Sequence, residues 1–188
     1  VTIIKEWCFS GCSSLTKLTI GKSVKRIWAS AFSGCSSLTS VIIPSSVTDF
    51  SGGIFDGCTS LNSVTLGDSI TKIYSGTFRD CSSLTSVIIP DGVTDISDAA
   101  FEGCSSLTKI SFEGNAPIVN DTWFNGIFKG IHDDAKIYVN SGATGFRETL
   151  GGIPVVVSGT PPVITIQPKD QKVKKGAVVS FTVTASGS

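Results

Sequence analysis

The sequence predicts an α/β repeat solenoid, a right-handed stack of 23-residue coils with a parallel β-sheet on one face and short helical or 3₁₀ turns on the other. Three observations carry this prediction. Cys12, Cys35, Cys58, Cys81 and Cys104 stand 23 residues apart. Phe9, Phe32, Phe55, Phe78 and Phe101 keep the same interval, as do Leu15, Leu38, Leu61, Leu84 and Leu107, and Val24, Val47, Ile70 and Val93 add a fourth apolar series without an insertion. The stretch CSSLTSVIIP at Cys35 to Pro44 recurs letter for letter at Cys81 to Pro90, so a 46-residue duplication overlies the shorter unit. A unit this short cannot bury its apolar face alone, and neighbouring units must stack around a shared core. Equivalent side chains then lie above one another at about 4.8 Å, the spacing of paired strands.

Each element of the unit has a local reason. Leu38, Val41 and Ile43 give the spacing LxxLxI, whose last residues alternate as a half-buried strand does, and Pro44 ends it. Across Ser30 to Leu38, apolar Phe32, Cys35 and Leu38 fall at i, i+3 and i+6, the spacing of a short helical or 3₁₀ turn. Gly34, Gly57 and Gly103 stand where such a turn needs a left-handed exit residue, and Asp80, which tolerates that conformation, replaces glycine once.

The chain's ends depart from the period. Phe128-Lys129-Gly130-Ile131 answers Phe101-Glu102-Gly103-Cys104 at a distance of 27, so four residues are inserted around Trp123 to Gly126. Ile137-Tyr138-Val139 supplies a last strand, and Ile153 to Val157 is expected to close the sheet edge, giving a solenoid over 1–157 with a C-terminal cap from about residue 113. At the other end Val1 and Ile4 align with Val24 and Ile27, and no initiator Met or signal peptide precedes them, so the expectation is an excised piece of a longer protein. Ser158-Gly159-Thr160-Pro161-Pro162 reads as a linker (158–162). Beyond it, Val163 to Pro168 and the alternating Val179, Phe181, Val183 and Ala185 resemble the first strands of an immunoglobulin-like domain, truncated at 163–188 because so few residues cannot complete the sandwich. Val183 stands where many such domains carry Cys, so no inter-sheet disulfide is expected.

Composition narrows the function. Lys+Arg 15 balance Asp+Glu 15, which argues against a nucleic-acid partner or an anionic membrane, and no apolar run reaches the roughly 18 residues that span a bilayer. Charged residues are 16% of the chain, while 28 Ser, 19 Thr and 20 Gly give a hydroxyl-rich surface. Asp49, Asp56, Asp68, Asp80, Asp91, Asp95 and Asp98 match no calcium-loop spacing, and no CxxC pair supports zinc. The single His, His132, beside Asp133 and Asp134, lacks a nucleophile with an orienting group. No catalytic, cofactor or metal site is expected, and the chain is expected to be monomeric. Asn120-Asp121-Thr122 fits a glycosylation acceptor that would matter only in a eukaryotic secretory host. Stacked cysteines point in parallel rather than at one another, so the Cys column is expected to be buried and reduced; a Cys8–Cys12 bond is the alternative.

What remains is the outward face of the sheet. Alternation puts Lys17, Ser40, Ser63, Ser86 and Lys109 in one exposed column and Thr19, Ile42, Thr65, Ile88 and Ser111 in the next. These ten positions are the candidate ligand-facing residues, although Thr and Ile favour strands whatever they touch.

The pattern LxxLxI, a turn, then VxxIxxxAFxGCxSL, as in Leu38 to Ile43 and Val24 to Leu38, resembles the BspA-like leucine-rich repeats of bacterial cell-surface proteins. The Asn position of the wider leucine-rich pattern holds Ser23, Ser46, Ser69 and Gly92, with only Asn115 matching, so Ser hydroxyls or turn geometry must satisfy the backbone there. The resemblance implies a non-enzymatic adhesion module, extracellular on the cell surface or secreted, that engages a protein or glycan. Alternatives are a structural spacer that presents other domains, and an accessory module of a polysaccharide-degrading enzyme.

Overall fold

A computed structural model describes residues 2–118 and 124–158, together with the backbones of 163–166 and 184–186. The chain winds as a parallel β-solenoid of about six turns, with short strands on two sides of most turns. In chain order the strands are β1 (Ile3–Ile4), β2 (Arg26–Ile27), β3 (Ser40–Ile42), β4 (Asp49–Phe50), β5 (Ser63–Thr65), β6 (Lys72–Ile73), β7 (Ser86–Ile89), β8 (Asp95–Ile96) and β9 (Lys109–Phe112). After them come α1 (Phe124–Ile127), β10 (Lys136–Asn140), β11 (Thr149–Leu150), β12 (Ile153–Ser158), β13 (Val163–Ile166) and β14 (Thr184–Ser186).

The LxxLxI segments form the longer-stranded side. Strands β3 and β5 pair in parallel with Ser40 opposite Ser63, and β7 and β9 with Ser86 opposite Lys109, the 23-residue register. The next step is longer by four: Lys109 faces Lys136 as β9 pairs with β10. Strand β12 then adds in parallel with Ile137 opposite Val155, and β11 folds back on it antiparallel. Segment Lys17 to Thr19 in the first coil carries no strand. On the second side, two-residue strands pair as β1–β2–β4 and β6–β8. Strands of two residues are too short for alternation to be visible in the sequence.

Between the two strand sides the expectation of helical or 3₁₀ turns is corrected: the chain is a string of β-turns. The backbone N–H groups of Ser30, Phe32 and Gly34 donate to Gly52, Ile54 and Asp56 on the next coil at 3.0, 3.0 and 2.7 Å. Those of Ser33 and Cys35 bond within the coil, to the carbonyls of Ser30 and Phe32. Alternate donors thus leave the coil, whereas a helix needs consecutive ones. The cause is a left-handed residue every fourth position: Trp7, Ser30, Gly53, Gly76 and Ala99 form one such column, and Gly11, Gly34, Gly57, Asp80 and Gly103 another. Asp80 takes φ 57 in the glycine column, as its tolerance of that region allows. Helix is confined, among the described residues, to α1 in the last coil.

Packing follows the columns. The rings of Phe9, Phe32, Phe55, Phe78, Phe101 and Phe128 stack with centroids 5.3–5.8 Å apart and planes within 16°. Phe32 to Phe101, Cys35 to Cys104 and Leu38 to Leu107 in each series are fully buried, while Phe9, Cys12 and Leu15 in the first coil are not. Each inner thiol has a partner: Cys35, Cys58, Cys81 and Cys104 donate to the carbonyls of Phe9, Phe32, Phe55 and Phe78 at 3.0–3.3 Å. The Cys column therefore ties coil to coil as well as filling space. At the Asn-like positions Ser46 Oγ donates to Val24 O at 2.9 Å, and Asn115 Oδ1 accepts from Thr144 N and Oγ1.

All six cysteines are free thiols, with Cys8 and Cys12 exposed. Burial pushes the Cys58 and Cys104 thiols up to about 12, and neighbouring Cys35 adds to the effect at Cys58. Two thiols are expected to react with a disulfide reagent in the native protein and six in denaturant; a native count of four would show the column to be open. A raised folded pKa stabilises below the unfolded value, so this contribution is full below about pH 9 and is lost as pH rises toward 12.

Strands β13 and β14 pair antiparallel, Val163 with Ser186 and Ile164 with Ala185. The remainder of the immunoglobulin-like reading, most of the linker, Trp123 and Asn120 to Thr122 lie outside the described residues.

Candidate functional site

The flat outer face of the longer strands gathers most of the positions read from sequence. Ser40, Ser63, Ser86 and Lys109 are exposed at the starts of β3, β5, β7 and β9, and Ile42, Thr65 and Ile88 are exposed two residues on. Ser111 is half-buried, and Lys17 and Thr19 are exposed beside the sheet rather than in a strand. The face is rigid for a stated reason: the alternate residues Val41, Val87 and Ile110 are buried in the core.

Register extends both columns into the cap. Lys136 continues the first column and Tyr138 the second, since β9 pairs with β10 as Lys109 with Lys136 and Ser111 with Tyr138; Pro154 and Val156 lie one strand further. The sequence reading missed these four residues, although the 27-residue offset that located the cap also gives their alignment. From β3 to β10 a large apolar residue recurs on every second strand, Ile42, Ile88 and Tyr138 alternating with Thr65 and Ser111, and Val156 then follows directly on β12. Ile42 is 66% exposed and Ile88 55%. Lys109 Nζ sits 5.3 Å from the centroid of the Tyr138 ring, so a cation and a ring share the C-terminal end of the face.

Elsewhere the chemistry is sparse. On the turn side Arg79 donates from Nε to Asp56 Oδ1 at 3.0 Å and from its second nitrogen to Oδ2, which raises the guanidinium pKa further. Lys129 pairs with Glu102 at 3.1 Å, and Arg79, Glu102 and Lys129 with Asp80 line an open depression. Among the described residues no group of three His, Cys, Asp or Glu is placed to hold a metal ion. His132 is exposed, its Nδ1 accepting from the Asp134 N–H at 3.1 Å. No helix of the described residues is long and apolar enough to cross a membrane.

Stacked coils of LxxLxI strand, turn and buried Phe–Cys–Leu columns, with one flat exposed sheet face, define a leucine-rich repeat solenoid. Six copies of the BspA type leucine rich repeat region match residues 2–129, and the chain belongs to this family. Among solved structures it is similar to a leucine-rich repeat protein of T. pallidum, with 25% identity, a TM-score of 0.60, and coverage of 76% of this chain and 68% of that one. It is also similar to a leucine-rich cell surface protein of Faecalibacterium prausnitzii A2-165, at 30% identity and a TM-score of 0.53 over 66% of this chain. A leucine-rich repeat protein of Eubacterium ventriosum shares the fold at 20% identity, TM-score 0.59, over 70% of this chain. The present chain spans 31% and 41% of the length of the last two. Comparison with curated proteins returns no match.

Proposed function

We propose that this chain is a non-enzymatic binding module of a bacterial surface protein, which engages an extracellular protein or glycan through the outer face of its longer strands. The observation that carries the reading is the outward column of exposed Ile42, Thr65 and Ile88 and half-buried Ser111 and Tyr138, where apolar and hydroxyl side chains alternate on a rigid sheet. Because the chain is neutral, a partner would be held by shape, hydroxyl hydrogen bonds and apolar contact rather than by long-range charge. The family, and a similar structure described as a cell surface protein, support the extracellular placement.

The test is a panel of immobilised extracellular-matrix proteins and a glycan array, followed by Ile42→Glu with Ile88→Glu and by Ser63→Glu with Ser86→Glu. Loss of roughly tenfold or more in affinity is expected, because each pair places charges in the contact. Unchanged binding rejects this face. A spacer role is the second reading, favoured by the antiparallel β13–β14 pair, which we take as the start of an immunoglobulin-like domain beyond the linker. A wild-type protein that binds nothing on either panel supports it.

A further inference from the structure

We propose that the short-strand side of the solenoid is a self-association surface, on which a second copy of this chain docks antiparallel across an alternating ladder of charges. This departs from the expectation of a monomer and does not depend on the sheet face discussed above.

The ladder is set by register. Ile3 pairs with Arg26 and Arg26 with Asp49; Lys72 pairs with Asp95, and Asp95 bridges to Ile118. The 23-residue period places Lys72 after Asp49. Along the solenoid the outward column therefore reads apolar, positive, negative, positive, negative, apolar. Within the chain Arg26 approaches Asp49 to 3.4 Å and Lys72 approaches Asp95 to 3.1 Å, with all four side chains between 36% and 55% exposed. Exposed pairs of this kind contribute little to the fold itself. Each also keeps unused capacity: a carboxylate accepts several hydrogen bonds, a guanidinium donates five and an ammonium three.

Reversing such a column exchanges every charge for its opposite and leaves the apolar ends in place. An antiparallel copy thus sets Arg26 against the other copy's Asp95, Asp49 against its Lys72, and Ile3 against its Ile118, which is 71% exposed. That is the self-complementary geometry of a two-fold interface. A parallel copy in register opposes like charges throughout, which is costly. Shifted by one coil, the parallel copy recovers three oppositions but puts Ile3 and Ile118 against charges. Beside the ladder, Trp28 and Tyr74 lie two coils apart, with Lys72 Nζ 5.1 Å from the Tyr74 ring centroid. Arg, Trp and Tyr are the side chains enriched at interface centres. Zero net charge removes the repulsion that would keep copies apart.

A strip six coils long at about 4.8 Å each and roughly 15 Å wide covers about 400 Å² per copy, half of what a stable complex buries. The association is therefore weak and concentration-dependent. Sedimentation of the full chain is expected to show reversible dimerisation that weakens roughly tenfold or more between about 0.05 M and 1 M salt. The decisive variant exchanges all four signs: Arg26→Asp, Asp49→Arg, Lys72→Asp and Asp95→Lys. It is expected to associate with itself as tightly as the wild type does, because exchanging every sign preserves the antiparallel complementarity. An all-cationic variant, Asp49→Lys with Asp95→Lys, should be monomeric while keeping the wild-type circular dichroism. The proposal is overturned by a wild-type protein that stays monomeric at every concentration, by an all-cationic variant that still dimerises, or by an exchanged variant that stays monomeric.

Discussion

Replacing Phe55 with alanine is expected to destabilise the protein by about 3–5 kcal/mol, the range for a large buried aromatic whose cavity cannot collapse. Phe55 is fully buried, and its ring stacks on Phe32 at 5.7 Å and on Phe78 at 5.8 Å. Collapse is opposed by coil-to-coil hydrogen bonds on both sides: Phe55 N–H donates to Thr77 O on the following coil at 2.9 Å, and the Cys58 thiol donates to Phe32 O on the preceding one at 3.3 Å. The neighbouring coils are held at their spacing and cannot close on the void. A solenoid is stabilised by each interface with the next coil, so a lesion in the middle weakens two interfaces at once. Phe9→Ala, at the open first coil where the ring is already 40% exposed, should cost far less. Urea unfolding followed by circular dichroism checks this. Equal midpoints for the two variants would show that the Phe stack does not carry the fold.

The contrast between these two phenylalanines also marks what the sequence makes legible. The 23-residue columns are visible because stacking demands the same side-chain volume at the same height in every coil, so Phe, Cys and Leu recur without drift. The turns are another matter. Phe32, Cys35 and Leu38 recur at three-residue intervals both in a 3₁₀ turn and in the observed chain of β-turns, and apolar spacing does not separate the two. What does is the left-handed residue at the start of each chain of turns, and there the sequence carries Trp7, Ser30 and Ala99 beside two glycines, with φ between 54° and 58° in the three. Tertiary packing and the inter-coil hydrogen bonds hold them in a conformation that their side chains disfavour. For the candidate face, strand alternation was enough to assign Ile42 and Ile88, since one buried neighbour fixes the orientation of the next residue. Tyr138 and Val156 needed the register of the cap. The ladder of Arg26, Asp49, Lys72 and Asp95 sits in strands of two residues, too short for any periodic signal within a strand, and becomes visible only when the coils are superposed on the 23-residue period.

Gly67→Ala is expected to cost about 1–3 kcal/mol, the range for forcing atoms into a packed site, although the residue lies in a turn and adds a single methyl group. A Cβ at Gly67 would stand 2.6 Å from Ser45 N, 2.7 Å from Pro44 C and 2.8 Å from Ile43 O. All three are backbone atoms of the preceding coil, so no side chain can rotate away, and relief requires the two turns to separate. The same position of the repeat is Pro44 and Pro90 in the alternate coils and Gly21 in the first, which is the 46-residue duplication expressed as alternating proline and glycine. Gly21 supplies the control, because a Cβ there meets nothing within 4 Å. Gly21→Ala should therefore be nearly neutral, or slightly stabilising through the reduced freedom of the unfolded chain. If both alanine variants unfold at the wild-type midpoint, the close approach of the turns is not needed for the coil spacing. If Gly67→Ala alone falls, the glycine between the two proline turns is explained sterically: the coil that follows Pro44 leaves no room for a side chain at Gly67.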